Sequence, residues 1–144
     1  MNPTSSNPSQ IGIVSTFSQL VQTNFTGTTN ALCWHRNVEG DFNEIVNQLQ
    51  ENITEIDSKD LVALQLTEQG SRAREVILKD MQLLTDFGAS PSLNLIKCYD
   101  RDDAFDFITT DVYSFHVDRS PIATDTFLCT YRGVASEILS NAQA

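Results

Sequence analysis

The sequence predicts an α+β fold, and two observations support this prediction. Apolar residues recur at helical spacing in two segments before Pro91, and the alternation typical of strands follows it. When helical segments precede strands in this way, the helices are expected to pack on one face of a sheet. We therefore expect helices that buttress a partial sheet.

Two helices are predicted from capping signals and apolar stripes. The first begins after Asp41, which stands three residues before Glu44 as in a capping box. Its apolar positions are Phe42, Ile45, Val46 and Leu49. The second is expected over residues 71–87 and ends at Gly88. Its stripe is Ala73, Ile77, Met81, Leu84 and Phe87. Residues 61–64 fit a strand or a helix.

Strand patterns define the remainder of the predicted domain. They cover residues 31–35, 93–99, 111–118 and 124–132, and a weak helix is predicted over residues 135–144. Because three or four strands do not close a barrel, we expect a domain at 30–144 that lacks the C-terminal strands of a larger β-fold. Residues 1–29 are expected to be a flexible tail and an irregular arm or edge strand.

Composition excludes several classes of partner. The net charge is −10 and the nine lysines and arginines are scattered, so no nucleic-acid partner is expected. No apolar run approaches the roughly 20 residues of a membrane helix. The three cysteines lack CxxC spacing, and two lie in apolar runs where thiols usually behave as small buried hydrophobes. These features predict a soluble protein of the reducing cytoplasm.

The pair His116 and Asp118 is the most informative motif of the chain. In the predicted strand 111–118, side chains two positions apart project to one face, so the imidazole and the carboxylate can converge on one metal ion. A triad of two histidines and one carboxylate is typical of non-haem Fe(II) oxygenases. The only other histidine, His35, is expected to lie on the surface at a strand end, so the third ligand is not identified. A structural His–Asp hydrogen bond remains the alternative.

Two further patterns contain residues that could carry chemistry. The acidic segment 100–111 has Phe105 where the EF-hand calcium loop needs glycine, so a solvated loop is expected there. Cys98 or Cys129 could act as a nucleophile with His116, but their apolar flanks do not favour a thiolate.

A resemblance adds to this reading. The run Phe115–Asp118 (FHVD), followed by Leu128–Gly133 (LCTYRG) and then Ser136-Glu137, resembles the core signature of a bacterial family called domain of unknown function 1826. The likeness spans about residues 90–138. The chain departs from the family in Val134-Ala135, where the family tends towards Pro-Gly, and in Ile138, where it tends towards Trp.

The same segment is similar, more distantly, to the double-stranded β-helix of Fe(II)/2-oxoglutarate oxygenases. That resemblance implies that the helices buttress a partial, jelly-roll-like sheet. It also implies Fe(II) at His116 and Asp118, with 2-oxoglutarate as a cosubstrate and an unidentified small molecule or protein as the substrate. Arg132 is expected on the same side as the His–Asp pair, where it could bind the cosubstrate carboxylate. The alternative function is a non-catalytic binding or scaffold protein in which the pair is structural.

Overall fold

The computed structural model describes residues 10–49, 54–97 and 121–141. They form a mixed helix and strand structure, as the sequence predicts. The chain divides into two compact units, one of residues 1–37 with 135–144 and one of residues 38–134. In chain order the elements are β1 (Ile11–Val14), α1 (Phe17–Gln22), β2 (Ala31–Trp34), α2 (Phe42–Gln48), β3 (Thr54–Glu55), α3 (Ser58–Ala63), α4 (Glu68–Phe87) and β4 (Asn94–Leu95).

The first unit is built around a parallel pair of strands. β1 and β2 run side by side from Ile11 opposite Ala31 to the Val14–Trp34 pair, and α1 lies in the connection between them. Such a crossover is needed because parallel strands cannot be joined by a tight hairpin. The Trp34 indole donates a hydrogen bond to the Ser15 carbonyl at 3.1 Å. Among the described residues of this unit, Val14 is the buried apolar residue. The helix α1 lies in the segment where the sequence indicated an irregular arm or edge strand.

In the part of the second unit that the structure describes, three helices and an antiparallel strand pair, β3–β4, pack around one apolar cluster. Leu61 of α3 lies at its centre and is fully buried. The other buried members of the cluster are Ile45, Ile56, Ala73, Ile77 and Leu95. Ile45, Ala73 and Ile77 come from the expected apolar faces of α2 and α4, which confirms these faces in part. Phe87, the last residue of the expected α4 stripe, is 49% exposed and lies outside the cluster. Among the residues described, none of the helices combines the length and apolar character needed to cross a membrane.

Helices α2 and α4 approach each other closely because glycines lie at their contact. A side chain on Gly40 would place its Cβ 2.4 Å from the backbone nitrogen of Ala73, and Gly40 also has a φ of +125°, which favours glycine. A Cβ on Gly70 would lie 2.2 Å from a carboxylate oxygen of Glu44. A side chain on Gly40 would therefore collide with backbone atoms that cannot move away, whereas a side chain on Gly70 would require the Glu44 carboxylate to move.

The helix termini agree with the sequence signals in most respects. The Asp41 carboxylate accepts from the backbone amides of Asn43 and Glu44, which confirms it as the N-cap of α2. Gly88 ends α4 with a left-handed φ of +98°, as predicted. α4 starts at Glu68, three residues before the predicted position, because the Thr67 hydroxyl accepts from the Gly70 amide. Residues 58–63 are helical, which decides the open choice at 61–64.

The strand predictions after Pro91 are correct only in small part. Of the predicted strand 93–99, the described portion contains the two residues of β4. The predicted strand 124–132 and the helix from residue 135 are wrong, since residues 123–130 and 134–140 have no regular structure. The former segment packs by side chains four apart: Phe127 contacts Phe87 edge-on, and Tyr131 stacks on Phe42. Side chains four residues apart thus make the packing contacts, whereas in a paired strand every second side chain would do so. Strand 111–118 lies outside the described residues.

Candidate functional site

The described part of the candidate site is the segment that carries Tyr131 and Arg132. His116 and Asp118, the predicted metal ligands, lie outside the residues that the structure describes. Arg132 lies inside them, in an irregular segment next to α2 and α4. The geometry of the site is therefore that of the Leu128–Gly133 segment and its helical support.

Tyr131 fixes this segment on the helices through its ring and its hydroxyl. The ring stacks on Phe42 of α2, with centroids 5.4 Å apart and planes inclined by 14°. The hydroxyl donates a hydrogen bond of 2.8 Å to the Asp80 carboxylate on α4. One side chain thus connects the irregular segment to both helices, and its ring contributes to the apolar cluster.

The environment of Tyr131 keeps its phenol protonated. Burial is the main cause that raises the pKa of Tyr131 far above its ordinary value, and the hydrogen bond to Asp80 raises it further. Asp80 itself is only 8% exposed. A protonated phenol facing a buried carboxylate is a stable donor–acceptor pair, and a phenol held in this state is a poor nucleophile or base.

Arg132 is bound to the first turn of α2. Its Nε donates a hydrogen bond to the side-chain oxygen of Asn43. The Asn43 backbone amide in turn donates to the N-cap carboxylate of Asp41 at 3.0 Å. The Arg132 side chain remains exposed, and its two terminal nitrogens are not part of the Asn43 contact. A guanidinium held at Nε can still present that terminal pair to a carboxylate, which suits bidentate recognition.

His35, the second histidine, lies on the surface at the end of β2, as predicted. Its neighbours form a stacked group in which the Arg36 guanidinium lies 4.3 Å from the Trp34 ring centroid. The part of the chain described contains no group of three or more His, Cys, Asp or Glu side chains arranged to hold a metal ion. His116 and Asp118 lie outside the described residues, so this finding does not apply to them.

The cysteines differ from the expectation. Cys33 and Cys129 are both exposed free thiols. At most one of the three cysteines can therefore be a buried thiol, whereas two were expected to be. Cys129 is exposed because its segment contacts the helices through Phe127 and Tyr131, two residues to either side. Cys98 lies outside the described residues.

A shallow surface groove of about 340 Å³ lies along α4 and is lined by Glu39, Arg72, Glu75, Val76 and Lys79. Arg72 pairs with Glu68 at 2.7 Å and with Glu39 at 3.6 Å. These side chains are about half exposed or more, and exposed ion pairs of this kind contribute little to the free energy of folding. The groove has mixed charge and none of the convergent polar groups of a ligand site.

Sequence reasoning missed Asp80 and Asn43, the two partners of the Tyr131-Arg132 pair. A signal for Asp80 was present, because it lies three residues after Ile77 and seven after Ala73 on the apolar stripe of α4. A carboxylate on a buried helix face needs a donor. No comparable signal marks Asn43, which is exposed in the first turn of α2.

Comparisons with known proteins add no relative. No family model matches the chain, and searches of curated proteins and of solved structures find no match. The resemblance to domain of unknown function 1826 and to the oxygenases therefore stays a prediction.

Proposed function

We propose that this protein is a metal-binding relative of the Fe(II)/2-oxoglutarate oxygenases, either active or degenerate, with His116 and Asp118 as its ligands. The observation that carries the proposal is the HxD pair followed by the Leu128–Gly133 signature at a spacing similar to that of domain of unknown function 1826. Fe(II) is the metal that an imidazole and carboxylate facial site would bind. A jelly-roll-like sheet around strand 111–118 is part of this proposal.

The contacts of Arg132 support its role as the 2-oxoglutarate anchor. The hydrogen bond to Asn43 restricts the guanidinium through Nε, so fewer rotamers are lost when a carboxylate binds. The neighbouring Tyr131 holds the backbone at this position through Phe42 and Asp80. An anchor for a cosubstrate needs this kind of support from rigid elements.

A second candidate function is a non-catalytic binding or scaffold protein. The observation that favours it is that Tyr131 and Arg132, in the Leu128–Gly133 segment, both contact the helices. Tyr131 contacts Asp80 and Arg132 contacts Asn43. In that case the signature stabilises the domain, and His116 and Asp118 form a structural hydrogen-bonded pair. The two candidates differ in whether His116 binds a metal ion.

Metal titration decides between the two candidates. Anaerobic Fe(II), or Mn(II) as a redox-stable substitute, is titrated into the wild type, His116→Ala and the matched control His35→Ala. We expect weak binding by the wild type, because two protein ligands leave most of the coordination sphere to water. We expect that binding to be lost in His116→Ala and kept in His35→Ala. Binding that survives in His116→Ala would exclude the metal site and leave the scaffold function.

A further inference from the structure

Two side-chain amides of the first unit hold the segment 138–141. Gln10 Nε2 donates to the carbonyl oxygen of Ile138 at 2.6 Å, and Asn30 Nδ2 donates to that of Leu139, also at 2.6 Å. The same Asn30 nitrogen lies 3.3 Å from the side-chain oxygen of Asn141. Successive carbonyls of one segment are thus bound by side chains rather than by a strand ladder.

The two amides belong to one small platform. Gln10 immediately precedes β1 and Asn30 immediately precedes β2, and the Asn30 backbone amide donates to the Gln10 carbonyl at 2.9 Å. Both side chains therefore start from the same end of the parallel strand pair. This connection also explains why the predicted helix at 135–144 is absent from the described residues, since the Ile138 and Leu139 carbonyls point to side-chain donors.

The chemistry of this contact leaves one polar atom unsatisfied. Leu139 and Asn141 both present oxygen to Asn30, so its nitrogen must face them and its own Oδ1 must face the opposite way. That Oδ1 is buried and has no hydrogen-bond partner among the residues that the structure describes. A buried acceptor without a donor is less stable than a hydrated one, so docking of residues 138–141 on Asn30 carries a free-energy cost of desolvation.

Apolar burial in this segment is partial. Ile138 is 42% exposed, and residues 135–137 are exposed as well. Leu139 and Ser140 are half-buried. The attachment of residues 138–141 therefore combines partial apolar burial with polar contacts, and both contribute modest net free energy in comparison with a packed core.

We propose that residues 138–141 form a strap that opens and closes on the ends of β1 and β2, with Asn30 as the residue that fastens it. The favourable side of closure includes the pair of amide-to-carbonyl hydrogen bonds and the partial burial of Ile138 and Leu139. The unfavourable side is the desolvated Asn30 oxygen, which regains water when the strap opens. Opening also frees the Gln10 and Asn30 amides, two neighbouring donors that can then bind other main-chain carbonyls.

A glutamyl-specific protease measures the opening, because Glu137 directly precedes the strap. Release of the fragment 138–144 from the full-length protein is followed by mass spectrometry for the wild type, Asn30→Asp and Asn47→Asp. Asn30→Asp replaces the donor by a carboxylate that faces two oxygens, and we expect release at least about tenfold faster. Asn47→Asp makes the same charge change on an exposed position of α2 and should match the wild type.

The fluorescence of Trp34, the single tryptophan, reports on β2 in the same unit and separates strap opening from unfolding. We expect an unchanged Trp34 spectrum in Asn30→Asp, and in Gln10→Ala an unchanged spectrum with a smaller acceleration. Equal release from Asn30→Asp and the wild type would overturn the proposal. It would also be overturned if Trp34 changed together with the release in both variants, because the segment would then be an integral part of the unit.

Discussion

Glu44 of α2 receives two hydrogen bonds from Thr67, the N-cap residue of α4. Its carboxylate accepts from the Thr67 backbone amide at 2.7 Å and from the Thr67 hydroxyl at 2.6 Å. The sequence placed Glu44 in a capping box with Asp41, but its carboxylate accepts hydrogen bonds from the N-cap of the neighbouring helix instead. The Asp41 amide donates to the Gln69 carbonyl at 2.9 Å, which adds a second link between the two helix starts.

We expect Glu44→Ala to destabilise the second unit by about 1–2 kcal/mol, in the range of a lost helix cap. The reason is that the Thr67 hydroxyl and amide lose a charged acceptor where the positive end of α4 also favours one. Chemical denaturation monitored by circular dichroism measures this change. Glu75→Ala, a substitution on the exposed surface of α4, is the control and should shift the free energy of unfolding by less than about 0.5 kcal/mol.

Gly70→Ala should be coupled to Glu44. The new Cβ would lie 2.2 Å from the Glu44 carboxylate oxygen, so the carboxylate must leave Thr67 to make room. Once Glu44 is alanine, that collision disappears, and the cost of Gly70→Ala should fall. A double-mutant cycle measures the coupling, and we expect at least about 0.5 kcal/mol. Strictly additive effects would show that the two residues do not share this contact.

Ile77→Ala tests the apolar stripe of α4. Ile77 is 4% exposed and belongs to the cluster against which Met81 and Tyr131 pack, so the predicted stripe is confirmed at these positions. We expect a loss of about 2–5 kcal/mol, as is typical of buried isoleucine truncated to alanine. The control is Leu128→Ala, because Leu128 is 72% exposed. A thermal melt of Ile77→Ala that overlies the wild-type melt would contradict the core assignment.

The Tyr131–Asp80 hydrogen bond predicts a specific dependence of stability on pH. Because the pKa of Tyr131 is raised in the folded state, its contribution is fully present below the ordinary phenol pKa of 10.0 and declines as pH rises above it. Tyr131→Phe lacks this contribution, so we expect it to be about 1–3 kcal/mol less stable at pH 7. The difference between wild type and Tyr131→Phe should narrow at alkaline pH. A difference that stays constant from pH 8 to pH 11 would contradict the assignment.

Local signals explain which elements were predictable. The start of α2 at Asp41 and the end of α4 at Gly88 depend on residues within one helical turn, and both predictions are correct. The segment around Tyr131 depends on partners far away in sequence: Asp80 lies 51 positions from Tyr131, and Asn43 lies 89 positions from Arg132. Alternation over 124–132 gave no hint that these partners are helical side chains rather than a neighbouring strand.

Arg132 and Asn43 provide the last prediction, which applies if the metal titration supports the site at His116. We expect Arg132→Ala to abolish the effect of 2-oxoglutarate on Mn(II) affinity, because the terminal guanidinium nitrogens are the proposed carboxylate ligands. Asn43→Ala removes only the hydrogen bond that orients Nε, so 2-oxoglutarate should bind about 2- to 10-fold more weakly, as for one lost hydrogen bond. Isothermal titration of each variant with 2-oxoglutarate in the presence of Mn(II) measures both effects, and Asn47→Ala on the same helix is the control. A cosubstrate affinity that is the same in Arg132→Ala and the wild type would remove the anchor role, while the metal site at His116 would be unaffected.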